Sequence, residues 1–217
     1  MFILVSLVPF YSEHTGTINI KCSSNNVESS SVTVYDWWVN DDCSTDKTSK
    51  FGSSVSLRNN GACSVTYSTD CYLISPTVDS SSSLLPITGL NNCTGELQID
   101  FDFYARNGDD NNGIVLFEDS NNYKYFKDDG MKIWRGENVN GSFSEDYSNN
   151  LNYQFNTWLH MTTTITSTTF TVSIYNNNTL IRTRNVSVQS DITKIGFESS
   201  WVTNGQSKIK NIQIKPL

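Results

Sequence analysis

One stretch in the second half of the chain, residues 155–184, constrains the fold more than any other. Phe170, Val172 and Ile174 alternate with threonine and serine, the two-residue period of a strand with one buried and one solvated face. A second strand, which carries Trp158, Met161 and Ile165, precedes these residues. Residues 176–178 are three consecutive asparagines, a residue type that tolerates left-handed backbone angles in tight turns. The stretch therefore predicts two successive antiparallel strands, a turn and the start of a third strand.

The same strand signal recurs along most of the chain. In residues 95–105 (GELQIDFDFYA) apolar residues occupy one face and mostly acidic residues the other, whereas residues 113–118 (GIVLFE) suit a strand covered on both faces. We count about a dozen short strands, at the spacing expected of a sandwich or barrel. No long stretch combines helical apolar spacing with good helix-forming residues. We therefore expect an all-β fold for these 217 residues.

Connections and irregularities follow from the same pattern. Residues 59–61 (Asn-Asn-Gly) predict a turn, and the uneven apolar spacing of the last strand predicts a bulge near Asn211. We interpret the serine-rich residues 76–86 as a surface loop and residues 137–152 as a long polar loop.

The best boundary candidate is a polar run that ends at residue 31. We interpret residues 1–31 as an N-terminal β segment or the end of an upstream module, and residues 32–217 as one sandwich domain. The apolar residues 1–10 are too short to span a bilayer and lack a preceding basic residue, so we expect a strand there and no membrane insertion.

The charge balance excludes one class of partner. The formal net charge is −7 and the pI about 4.7. A nucleic-acid partner would require a basic face, so we expect none.

The five cysteines leave two alternatives open. Cys63 and Cys71 could bridge across a hairpin and Cys43 could reach Cys93, or the thiols could be free and buried; spacing does not decide between them. With no CxxC pair and two histidines, a structural zinc site is not expected.

The order of strand types resembles a known family. A GELQIDFDFYA strand is followed by GIVLFEDSNNYKYF, a TFTVSIYNNNTLIRT hairpin, and finally KIGFESSW and KIKNIQIKPL. Over residues 32–217 this is similar to the concanavalin A-like lectin/glucanase superfamily, which includes the laminin G-like domains. The resemblance implies an antiparallel jelly-roll β-sandwich. Members similar in composition are modules of microbial adhesin-like proteins and of virus tail or fibre proteins.

The resemblance raises the question of catalysis. Glucanases of this superfamily carry a Glu-x-Asp-x-Glu strand, whose counterpart here is residues 96–102 (ELQIDFD). Neither reading frame reproduces the pattern, and Asp100 and Asp102 are one carbon shorter than the glutamates they would replace. We therefore expect no catalytic residues. Asp100 with Asp102 or Glu96 would be the first pair to examine if the chain were a glycoside hydrolase or lyase.

A calcium site is a second hypothesis. Asp109 and Asp110 lie in an acidic loop, and hard cations bind clustered oxygens. The resemblance adds that laminin G-like domains often hold calcium at one rim. The loop does not have EF-hand spacing, and no cofactor other than calcium is expected.

Sugar binding uses aromatic rings that stack on C–H faces and planar polar groups that bond hydroxyls. The candidates are Tyr104, Tyr125, Trp134, Arg135 and Trp201. If Ile133 faces the core, the adjacent Trp134 faces outward.

These observations predict a non-enzymatic recognition module that binds a cell-surface glycan or surface protein, in an adhesin or a virus host-attachment protein. Its expected location is extracellular, on a cell surface or on a virion, with a homo-oligomer or a larger fibre as its context. The alternatives are a hydrolase or lyase on the same fold and a structural spacer of a fibre.

Overall fold

The structure is a computed structural model of the whole chain. It describes residues 19–24, 27–33, 41–78, 81–88, 96–106, 112–119, 121–128, 131–148, 151, 153–188, 192–200 and 206–217. Trp201, Asp109 and Asp110 lie outside the described residues.

The described residues form sixteen β-strands and a single 3₁₀ turn at Thr48–Lys50. The strands are β1 Asn19–Ser24, β2 Val27–Thr33, β3 Val55–Arg58, β4 Cys63–Ser68, β5 Cys71–Pro76, β6 Ser82–Pro86, β7 Leu97–Ala105, β8 Asn112–Phe117, β9 Tyr123–Asp128, β10 Ile133–Val139, β11 Ser142–Ser148, β12 Thr157–Ile165, β13 Thr169–Asn176, β14 Thr179–Ser187, β15 Lys194–Ser200 and β16 Ser207–Pro216.

Fourteen of the strands form two seven-stranded antiparallel sheets. Sheet A has the order β11-β10-β9-β8-β15-β6-β3, and sheet B has the order β14-β13-β12-β7-β16-β5-β4. Strands far apart in sequence are neighbours, as in β8 beside β15 and β7 beside β16. The predicted all-β, jelly-roll-like sandwich is confirmed.

The core lies between the two sheets and follows the predicted alternation. On β7, Phe101 and Phe103 are fully buried, and Phe170, Val172 and Ile174 on β13 are equally inaccessible. Phe101 packs edge-on against Phe197 of sheet A, with ring centroids 5.0 Å apart. Rings from both sheets therefore interdigitate, as expected when two sheets each bury one face.

The predicted turns and the bulge are confirmed. Asn177 and Asn178 have φ of 46° and 64° in the β13–β14 turn, and Asn59 and Asn60 are also left-handed. The register of β16 against β7 shifts between Lys210 and Gln213, where Asn211 has a φ of 51°. Asparagine fits such positions because its backbone enters the left-handed region at low cost.

Both predicted loops contain strands, so these two predictions were wrong. The run 76–86 ends in β6, whose Leu84 and Leu85 are buried. The run 137–152 contains the end of β10 and all of β11, joined by a tight turn at Asn140 and Gly141, both with positive φ. The polar composition was misleading because β11 is an edge strand exposed along most of its length.

The cysteine alternatives are resolved for three of the five residues. Cys43, Cys63 and Cys71 are free thiols, which confirms the free-thiol alternative for them and excludes both proposed disulfides. Cys63 pairs with Pro76 and Cys71 pairs with Ser68, so the two thiols lie at opposite ends of the β4–β5 ladder. Burial raises the pKa of the Cys43 thiol to about 12.

The first described strands, β1 and β2, pair with each other as a separate two-stranded sheet. The boundary after residue 31 remains a prediction, and β2 continues to Thr33. The described residues contain no helix that is long and apolar enough to cross a membrane.

Candidate functional site

The outer face of sheet A is strongly concave. The Tyr123 hydroxyl on β9 donates a hydrogen bond to the Leu57 carbonyl on β3 at 3.1 Å. These strands are four positions apart in the sheet, which would be about 19 Å if the sheet were flat. The guanidinium of Arg58, on the same edge strand, lies 4.3 Å from the ring centroid of Phe143 on the opposite edge strand β11. The two edges therefore approach each other over the outer face.

A second hydrophobic cluster fills the middle of this concave face. Its buried members are Leu84, Val115, Phe117, Tyr123 and Tyr125. A glycine makes the arrangement possible, because a Cβ at Gly136 would lie 2.2 Å from the Tyr125 ring. Tyr125 is the direct cross-strand partner of Gly136 and covers it, as aromatic residues cover glycines in curved sheets.

Glu145 on β11 connects three groups of the concave face. Its carboxylate accepts a hydrogen bond from the Tyr125 hydroxyl, and it lies 3.7 Å from the Lys127 ammonium and 3.9 Å from the Arg58 guanidinium. Burial, followed by the charge of Glu198 and the contact with Glu145, raises the pKa of Tyr125 well above its ordinary value. Tyr125 therefore stays a neutral hydrogen-bond donor.

A pocket of about 550 Å³ opens at one end of the concave face. All of its described lining residues are uncharged, and they combine aromatic rings, amides and a hydroxyl. They are Ser56, Leu57, Phe117, Asn121, Tyr123, Asn138, Asn140 and Gly141.

One polar atom of this pocket has no partner. Burial raises the pKa of Tyr123, and the neighbouring Asn138 side chain partly offsets this effect. The Asn138 Oδ1 is buried and makes no hydrogen bond within the described part of the chain. An acceptor in this state costs about 1–3 kcal/mol. Because the atom itself is buried, a ligand hydroxyl in the pocket reaches it only when the Asn138 side chain rotates.

The rim of the pocket is organised by Asp119. Its carboxylate accepts hydrogen bonds from the backbone N–H groups of Asn121 at 2.7 Å and Asn122 at 2.8 Å. These bonds lower the pKa of Asp119. The Oδ1 of Asn122 in turn accepts from the Asn140 backbone N–H at 2.7 Å. The loop before β9 is thereby tied to the β10–β11 turn, and both Asn121 and Asn140 are held at the pocket.

A strip of aromatic rings continues from the pocket along the edge of sheet A. Phe143 and Tyr147 on β11 are 37% and 45% exposed. Tyr147 lies 4.6 Å from Trp134, and Phe143 stacks on Tyr125 at 6.4 Å. The indole Nε1 of Trp134 is buried without a hydrogen-bond partner among the described residues.

The predicted sugar-binding residues do not form one site. Trp134 lies on the outer face of β10, whereas Ile133 is buried in the core and Arg135 lies on that same inward side, 2.7 Å from Asp146. Tyr125 lies in the concave face, but its ring is buried.

The fourth candidate, Tyr104, lies on sheet B, beside Trp158. Trp134 alone of the four described candidates borders the concave surface with a partly accessible ring.

The acidic strand β7 has a different arrangement from a catalytic carboxylate pair. Asp100 and Asp102 flank one imidazole, with His160 Nδ1 2.8 Å from Asp102 and Nε2 3.7 Å from Asp100. Burial opposes ionisation of Asp100, but bonds from His160, Thr162 and Gln98 lower its pKa below the ordinary value. A general acid needs the opposite shift.

The calcium hypothesis remains untested at Asp109 and Asp110, which lie outside the described residues. In the part of the chain that is described, no three His, Cys, Asp or Glu side chains are placed to hold a metal ion.

Sequence reasoning missed the pocket residues Asn121, Asn138 and Asn140 and the aromatic residues of β11. Four of these residues lie in the run 137–152 that was interpreted as a loop, namely Asn138, Asn140, Phe143 and Tyr147. The alternation of Phe143, Glu145 and Tyr147 after Asn140-Gly141 was the signal that could have identified the hairpin.

Comparisons with known proteins show the fold. No family model matches the sequence, and no curated protein matches it. The carbohydrate-binding module CBM66 from Bacillus subtilis is 16% identical with a TM-score of 0.50, over 76% of this chain and 96% of that one. A functionally unknown protein from Saccharomyces cerevisiae is 12% identical with a TM-score of 0.55, over 79% and 99%.

The galectin LEC-6 from Caenorhabditis elegans is 12% identical with a TM-score of 0.43, over 66% of this chain and 95% of that one. The carbohydrate-binding module is a β-sandwich of lectin-like fold. At such identities the likeness extends to the fold alone.

Proposed function

We propose that this chain is a non-enzymatic recognition module that binds a neutral glycan in the pocket on the concave face of sheet A. The observation that carries the proposal is the buried, unpartnered Asn138 Oδ1 in a pocket whose described lining is uncharged. A sugar hydroxyl satisfies that acceptor, and a neutral ligand matches the lining.

The composition of the pocket favours a saccharide over an apolar ligand. The amides of Asn121 and Asn140 and the hydroxyl of Ser56 bond both donors and acceptors, as sugar hydroxyls require. The rings of Phe117 and Tyr123 line the pocket but are only 5% and 4% accessible, so they add a small apolar surface for C–H groups.

The aromatic strip extends the site. Asn138 and Trp134 are four residues apart on one face of β10, a distance of about 13 Å along the strand. The partly accessible rings of Trp134 and Tyr147 favour an oligosaccharide that runs from the pocket along β11.

The biological setting is part of the proposal. A lectin-like sandwich that carries its ligand in a shallow surface site suits an adhesin or a virus host-attachment protein, on a cell surface or a virion. Weak binding by single sites becomes useful there when copies act together in an oligomer or fibre. The partner is then a cell-surface glycan.

The test is a screen of the full chain against an array of neutral and acidic oligosaccharides, followed by calorimetry with the best neutral ligand. We expect saturable binding with the ligand left intact. Asn140→Gly removes an amide but keeps a residue suited to the left-handed turn, so it should weaken binding about tenfold without loss of folding. Asn138→Ala should have at least the same effect.

Asn178→Gly is the matched control, because it makes the same change in the left-handed β13–β14 turn of the other sheet. Unchanged affinity in Asn140→Gly and Asn138→Ala would refute the assignment of the pocket. Cleavage of the oligosaccharide would replace the proposal with a hydrolase or lyase, and the absence of any glycan ligand would favour a structural spacer.

A further inference from the structure

The outer face of sheet B carries a second group of functional side chains, away from the pocket. Lys210, Asp102, His160 and Tyr175 are direct register partners across the four adjacent strands β16, β7, β12 and β13. Tyr104 and Trp158 form the neighbouring register pair, with ring centroids 5.3 Å apart. The register therefore gathers cations, carboxylates and aromatic rings on one surface.

The carboxylates of this surface are already neutralised by the protein. Asp102 contacts His160 and accepts a hydrogen bond from the Asn211 amide at 2.6 Å. Asp100 accepts from Gln98 at 2.7 Å and lies 3.7 Å from the Lys215 ammonium. The carboxylate of Asp100, 3.7 Å away, and that of the hydrogen-bonded Asp102 raise the pKa of His160 to about 9, so its ring is a cation at neutral pH.

Lys208 and Lys210 have no such partners. Neither ammonium makes an ion pair with a carboxylate in the described ranges; they lie over aromatic rings instead, 5.4 Å from Tyr104 and 4.1 Å from Trp158. A cation–π contact leaves the three N–H donors of a lysine available for an anion.

The charge of the surface opposes that of the chain. On β7, β12 and β16 the outward cations are His160, Lys208, Lys210 and Lys215, against the carboxylates of Asp100 and Asp102, which leaves two positive charges; Asp70 in the neighbouring β4–β5 turn reduces the excess to one. The chain as a whole carries −7. A local excess of positive charge in an acidic protein indicates an anionic ligand.

We propose that the outer face of sheet B is a second binding site, for a saccharide that carries a carboxylate or sulfate group. Lys208 and Lys210 bind the anionic group, and the Tyr104–Trp158 pair contacts the sugar ring. The rings distinguish this site from a plain phosphate or sulfate site, because they provide apolar contact that an inorganic ion cannot use.

The experiment is calorimetry of the full chain with a uronic-acid tetrasaccharide, a sulfated tetrasaccharide, a neutral tetrasaccharide of the same linkage and inorganic sulfate. We expect the acidic saccharides to bind at least tenfold more tightly than inorganic sulfate, with affinity that falls as salt increases. The two acidic probes separate carboxylate from sulfate recognition. Comparable binding of inorganic sulfate, or no binding of either acidic saccharide, would overturn the proposal.

Two variants locate the site. Lys208→Ala/Lys210→Ala should lower the affinity for the acidic saccharide at least tenfold. Arg182→Ala/Lys194→Ala is the control: it removes the same charge from exposed residues elsewhere on the chain. It should change the affinity for the acidic saccharide less than threefold. Equal losses in the two double variants would show non-specific attraction and overturn the assignment. Trp158→Ala should reduce binding of the acidic saccharide and leave that of inorganic sulfate unchanged, whereas an unchanged saccharide affinity would remove the role of the ring.

The test of this second site is independent of the test of the pocket on sheet A. Asn140→Gly should weaken neutral glycan binding and leave acidic saccharide binding intact, and Lys208→Ala/Lys210→Ala should do the reverse. Either site can therefore fail without the other.

Discussion

The contribution of His160 to stability is a quantitative test of the structure. Its imidazole on β12 lies 3.7 Å from Asp100 and 2.8 Å from Asp102, both on the adjacent strand β7, and these two carboxylates raise its pKa from the ordinary 6.5 to about 9. Because the folded-state pKa is raised, the stabilising effect is fully present below about pH 6.5. It is lost as the pH rises toward 9.

The magnitude follows from this difference in pKa. Each pKa unit is worth about 1.4 kcal/mol, so the rise to about 9 corresponds to roughly 3.4 kcal/mol as an upper limit. The His160 side chain is 42% exposed, and solvent screens its ion pairs. We therefore expect about 1–1.5 kcal/mol.

The assay compares the wild type with His160→Gln by urea denaturation at pH 6 and pH 9.5. Glutamine keeps an amide that can bond a carboxylate but does not titrate. The difference in unfolding free energy between the two proteins should shrink by about 1 kcal/mol between these pH values. Thiols and tyrosines that titrate in this range affect both proteins equally and cancel. An NMR titration of the wild type should place the pKa of this ring near 9.

A stability difference that is the same at both pH values would refute the argument. So would a measured His160 pKa at or below 6.5, because the ring would then gain nothing from the two carboxylates.

Three further predictions concern the packing. Gly136→Ala should destabilise the protein by about 1–3 kcal/mol, because the new Cβ overlaps the Tyr125 ring; a thermal midpoint equal to that of the wild type would contradict the closed concave face. Asn211→Val should cost about 1–3 kcal/mol in chemical denaturation, since a β-branched residue is strained at a φ of 51° and the bond to Asp102 is lost, whereas Asn211→Gly should lose less. Phe101→Ala should cost about 3–5 kcal/mol in the same measurement, and a cost below about 1 kcal/mol would show that the ring is not in the core.

The local parts of the fold could be predicted from the sequence. The alternation of Phe170, Val172 and Ile174 identifies a strand because side chains of a strand alternate between its faces. The asparagine turn at 176–178 and the bulge at Asn211 were recognisable because left-handed backbone angles select few residue types. Each of these signals depends on residues close together in the chain.

The polar hairpin of β10 and β11 shows where local reasoning fails. Composition indicated a loop for residues 137–152, because an edge strand needs little apolar burial. Pairing with β10 decides the structure of this run, and only that pairing places Tyr147 beside Trp134 and Phe143 beside Asn138.

The amino-acid sequence by itself determined the all-β class, the position of most strands and the net acidic charge. The tertiary structure decided which residues share a surface. Tyr123 meets Leu57 because sheet A curves, and Lys210 meets Trp158 because β16 and β12 both flank β7. Such contacts depend on the order, register and curvature of strands that are distant in sequence, and no local pattern encodes them.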